Sequence, residues 1–167
     1  MRRFVDNRNG EEGAATIEFA LLTLFFFVFA LLALDVASYF VQRSQLAASV
    51  SAASVSAFAN RTSVPFQTLP TYVQNAARLT TAPQVSIACN GVANACVNTS
   101  RSCACLSTSG SYVGATCGGS CGAGTTTGST AGYYLTITGS TQYRALMLPR
   151  GMLNGTQITQ SVTVRLQ

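Results

Sequence analysis

The sequence predicts an α+β fold, in which a long N-terminal helix packs on a small antiparallel sheet beside a disulfide-stapled loop region. Three observations carry that expectation. Residues 42–59 contain no Gly or Pro and 11 of the 18 are Ala or Ser, so the apolar run before them continues into one helix. The closing segment sets Ile158, Val162, Val164 and Leu166 against Thr159, Ser161, Thr163 and Arg165, the period of a half-buried strand. All six cysteines fall within residues 85–132, a stretch rich in Gly, Ser and Thr. Such a stretch buries too little apolar surface to order itself without staples.

The helix begins in an unusual place. Glu18 stands five residues after Gly13, at the head of a run that carries no charge from Ala20 to Leu34. An unpaired carboxylate in hydrocarbon costs about 3 kcal/mol, so this acid demands a partner or a function. Residues 19–34 alone give about 24 Å of helix, and the apolar residues 36–41 carry it past the ~30 Å of a bilayer core. Asp35 then lies near the outer interface, where a solvated acid pairing with a neighbour such as Arg43 is expected. Arg2, Arg3 and Arg8 precede the run, which places the N-terminus in the cytoplasm. A cleaved secretory signal would need a small residue where Asp35 stands in Ala33-Leu34-Asp35-Val36-Ala37.

Beyond the membrane the helix continues as a stem, with Leu46, Val50, Ala53 and Ala57 on one face at helical spacing and Val55 and Phe58 to the sides. Asn60 ends it, and Pro65 and Pro70 forbid continuation. Residues 71–81 read as a short second helix through Val73, Ala76, Ala77 and Leu79. Strands follow at residues 85–89 and 133–138. Gly139-Ser140 suggests a tight turn into a partner strand at residues 143–148.

Cys89, Cys96, Cys103, Cys105, Cys117 and Cys121 in an exported domain point to three disulfides, among the 15 connectivities that six cysteines allow. The alternative is zinc held by Cys103, Cys105, Cys117 and Cys121. It lacks the ribbon spacing, and the chain offers no His. No metal or other cofactor is therefore expected.

The inventory also argues against an enzyme. The chain has no His and no Lys, and nothing acidic follows Asp35, which removes the members of general acid–base pairs and catalytic triads from the exported part. Arg43, Arg61, Arg78, Arg101, Arg144, Arg150 and Arg165 are left uncompensated. Scattered arginines without interleaved aromatics do not make a specific nucleic-acid surface, and none is expected.

Gly13-Ala14-Ala15-Thr16-Ile17-Glu18-Phe19, with Leu34-Asp35-Val36, Tyr39 to Arg43 and Gln45 to Ala48, resembles the TadE-like family of minor pilins and pseudopilins of bacterial Tad (tight adherence, Flp) pilus systems. The resemblance covers about residues 13–60, and residues 143–166 more loosely. Phe19 departs from the Tyr usual in Flp-type major pilins, and no Arg interrupts residues 47–59.

The resemblance implies that a prepilin peptidase cuts between Gly13 and Ala14. Glu18 and Phe19 would then act in assembly, with Asp35 and Arg43 as helix contacts between subunits. It implies as partners that peptidase, an inner-membrane assembly platform, a cytoplasmic ATPase and other pilins. The expected organisation is a leader at 1–13, a transmembrane part at 14–41, a periplasmic stem at 42–60 and a small periplasmic domain at 61–167. Such a protein serves pilus biogenesis, surface attachment or secretion. The alternative is a permanently anchored binding module with a basic, stapled domain.

Overall fold

The computed structural model describes residues 11–146 and 153–167. Its first element, α1 (Glu11–Ala59), is a single helix of 49 residues, about 74 Å long at 1.5 Å per residue. Its end is capped by Asn60, whose backbone N–H and side-chain amide both donate to the Ser56 carbonyl, at 3.1 and 3.0 Å. A second helix, α2 (Leu69–Ala77), starts with a proline in its first turn and stops where Arg78 turns left-handed at φ 49°. It is shorter than residues 71–81, and it buries Leu69, Val73 and Ala77 while Ala76 stays exposed.

Six strands follow: β1 (Gln84–Cys89), β2 (Val92–Ala93), β3 (Cys103–Leu106), β4 (Tyr112–Ala115), β5 (Tyr134–Gln142) and β6 (Gln157–Arg165). They form an antiparallel four-stranded sheet in the order β2-β1-β5-β6 and a separate β3-β4 ribbon. Asn90 and Gly91 join β1 to β2 with φ of 47° and 80°, the paired positive values of a type I′ hairpin turn.

The outer half of α1 lies on the sheet, with Leu46, Val50, Ala53 and Ala57 completely buried. They meet Leu135 and Ile137 of β5, Ile158 of β6 and Val73 of α2 in one core. Buried hydroxyls on the same helix are satisfied locally: Ser49 donates to the Leu46 carbonyl at 2.8 Å and Ser54 to that of Ser51 at 2.7 Å. Small satisfied side chains bring helix and sheet close together.

The expected turn at Gly139-Ser140 does not form. Strand β5 runs straight through both residues, pairing Gly139 with Val85 on one side and Gln160 on the other. Its glycine serves packing, because a Cβ there would stand 3.0 Å from Leu46 Cδ1 and 3.2 Å from Val50 Cγ2. The partners of β5 are β1 and β6. Tyr143, Arg144, Ala145 and Leu146 of the expected 143–148 strand are irregular, and the remainder of that stretch lies outside the described residues.

The cysteines pair as Cys89–Cys96, Cys103–Cys117 and Cys105–Cys121. The last two clamp the β3-β4 ribbon, whose own buried cluster is only Cys103, Cys105 and Ala131 with Cys121 against it.

Candidate functional site

The inner third of α1 is exposed along nearly all of its described length. Glu18, like every residue from Gly13 to Leu22, is exposed. Ile17 is 65% and Phe19 73% exposed, and large apolar side chains continue in that state to Leu34. The helix is long and apolar enough to cross a membrane. Gly13 is already helical, and a Cβ placed on it would touch nothing within 4 Å. A helical glycine costs about 1 kcal/mol relative to alanine. No contact among the described residues requires it.

Asp35 marks an abrupt change. It is completely buried, because the segment after β5 folds down onto the helix at this level. Its Oδ1 accepts the Leu146 N–H at 2.8 Å, and its backbone carbonyl accepts the Tyr143 hydroxyl at 2.6 Å. The Tyr143 ring is itself buried and meets the Tyr39 ring edge-on at 5.4 Å. Burial and the Asp35 charge push the Tyr143 hydroxyl above its ordinary pKa, with a hydrogen bond to Ser38 pulling the other way.

The geometry corrects the expectation for Asp35. It is not a solvated acid, and it does not pair with Arg43. Eight residues of helix separate the two by about 12 Å of rise, and Arg43 is exposed. Sequence reasoning missed Tyr143 and the Leu146 amide. The only signal for either was one acid at the end of an apolar run, 108 positions before Tyr143.

The remaining site residues are dispersed. The cysteines are all in disulfides, so none can supply the thiolate that zinc requires. Among the described residues no cluster of three or more His, Cys, Asp or Glu could hold a metal. Arg101 is occupied structurally, donating to the carbonyls of Val97 and Arg61 at 3.1 and 2.7 Å with its guanidinium over the Tyr133 ring. Arg165 donates to Thr130 Oγ1 and to the Gln167 carbonyl at 2.9 and 2.6 Å.

Residues 13–54 match the family model described as TadE-like protein. The foot and stem of α1 are TadE-like. The match begins at Gly13, takes in Glu18, Asp35 and Arg43, and stops five residues before α1 ends. The looser resemblance at residues 143–166 lies outside it. The match covers 42 of the 167 residues. No curated protein and no solved structure matches the chain.

Proposed function

We propose that this chain is a minor pilin or pseudopilin of a Tad pilus system, cut after Gly13 by a prepilin peptidase. It is inserted with its N-terminus in the cytoplasm and then drawn by the assembly platform and its ATPase into, or beneath, a pilus that serves attachment or secretion. The observation that carries this reading is that the TadE-like match starts at Gly13, a helical residue whose added Cβ would meet nothing within 4 Å among the described residues. Cutting there gives Ala14 a new amine, with Glu18 one helical turn away. In a bundle of packed helices that carboxylate neutralises such an amine, offsetting a cost of about 3 kcal/mol.

Two variants test the reading. Gly13→Val should leave a precursor migrating 13 residues larger than the wild-type product, and identical mobility would mean no cut occurs there. Glu18→Ala should leave the protein inserted at wild-type level but block pilus assembly. Normal piliation and attachment in that strain would refute the role given to Glu18.

A further inference from the structure

The lower end of the domain is tied to α1 at one level, and that level coincides with the end of the lipid-length segment. From Ala14 to Leu34 the helix rises about 32 Å, close to the ~30 Å of a hydrocarbon core. Asp35 comes next, and its carboxylate holds the Leu146 amide at 2.8 Å. The domain therefore does not stand off on a free stem. Its last described loop residue before the β6 hairpin lies at the height where the apolar run ends.

The side chains at that level have the chemistry of a bilayer surface. Leu146 is 79% exposed, more than any other large apolar side chain among the described residues, including those of the apolar run. Its neighbour Arg144 is exposed and makes no hydrogen bond or ion pair among the described residues. Arg144 lines a cavity of about 280 Å³ with Gln42, Thr80, Thr81 and Gln142. Gln42 lies seven residues above Asp35, about 10 Å along the helix, in or just above the 5–8 Å headgroup layer. Arg43 is exposed beside it. The acid at this level, Asp35, is buried with its carboxylate on the Leu146 amide, and no Asp or Glu follows it in the sequence to oppose a phosphate at the surface.

We infer that this end of the domain is a membrane-docking surface: Leu146 enters the hydrocarbon edge while Arg144, with the hydroxyls and amides around its cavity, meets phospholipid phosphates. An apolar tip below a cation is the arrangement by which side chains anchor at an interface. Docking would fix the domain's orientation and hold the subunit in the bilayer beyond what the helix does alone. The inference rests on α1 crossing the membrane and is independent of cleavage after Gly13.

The chain contains no Trp, so a single introduced indole reports depth without background. The full chain would be placed in vesicles of phosphatidylethanolamine and phosphatidylglycerol brominated near the headgroup end of the acyl chains. Leu146→Trp should give blue-shifted emission that loses most of its intensity to bromine. Val92→Trp, at the opposite end of the sheet and 59% exposed in the wild type, should emit as in water and lose none. Adding Arg144→Glu to Leu146→Trp should red-shift the emission and weaken the quenching. An indole at position 146 that behaves like the one at 92 would overturn docking. Unchanged quenching with Arg144→Glu would overturn the phosphate contact. Phe27→Trp separates the two levels of the argument: an indole at 27 must be quenched if α1 spans, whether or not the domain docks.

Discussion

Asp35 and Tyr143 form the contact that ties the segment after β5 to the middle of α1. The tyrosine hydroxyl donates to the Asp35 backbone carbonyl in the middle of α1, and the Asp35 carboxylate accepts from the amide of a loop residue, Leu146. Removing one buried partner exposes the other's desolvation cost. Tyr143→Phe keeps the ring against Tyr39 and deletes the hydroxyl's bonds to the Asp35 carbonyl and Ser38, so it should lower stability by about 1–2 kcal/mol, measured by thermal unfolding in detergent. Asp35→Ala keeps the backbone carbonyl that Tyr143 uses but strands the Leu146 amide, and should cost about 1–3 kcal/mol in the same assay. Tyr143 also predicts a pH dependence. Its pKa is raised in the fold above the ordinary 10.0, so the unfolded chain loses this proton first. Its contribution is constant below about pH 10 and declines as pH rises beyond it. Tyr143→Phe should flatten that decline, and an unchanged alkaline slope would contradict the assignment.

At the scale of elements, close approach of α1 and β5 depends on Gly139. Gly139→Val should push Leu46 and Val50 off the sheet at a cost of about 2 kcal/mol or more, read as a lower unfolding midpoint. The β3-β4 ribbon depends instead on its staples. Cys103→Ser with Cys117→Ser opens a 14-residue separation and should cost about 3 kcal/mol or leave the ribbon protease-sensitive. These contrasts explain what could be read in advance. The buried face of α1 was legible because Leu46, Val50, Ala53 and Ala57 repeat at helical period, and β6 because it alternates. Gly139 was misread as a turn, although it shares inward parity with Leu135 and Ile137, and parity would have placed it against the helix. The β1-β2 hairpin carried its own signal in Asn90-Gly91. Ribbon and disulfide pairing left no such trace, since contacts among Gly, Ser and Cys have no period.

For the whole molecule, the chain divides into a domain that satisfies itself and a helix foot that does not. Among the described residues the domain's buried side-chain polar atoms all have hydrogen-bond partners. From Gly13 to Leu34 the foot is mostly exposed apolar surface among the described residues, with Glu18 and Gly13 near its start. A TadE-like match that starts at that glycine turns the question of function into whether one peptide bond is broken. Mass-spectrometric determination of the N-terminal residue, on protein recovered from cells with their prepilin peptidase intact, tests this most directly. The account predicts a mature chain beginning at Ala14, with Gly13→Val blocking its appearance. A membrane-inserted, functional population that retains Gly13 and residues before it would contradict the account.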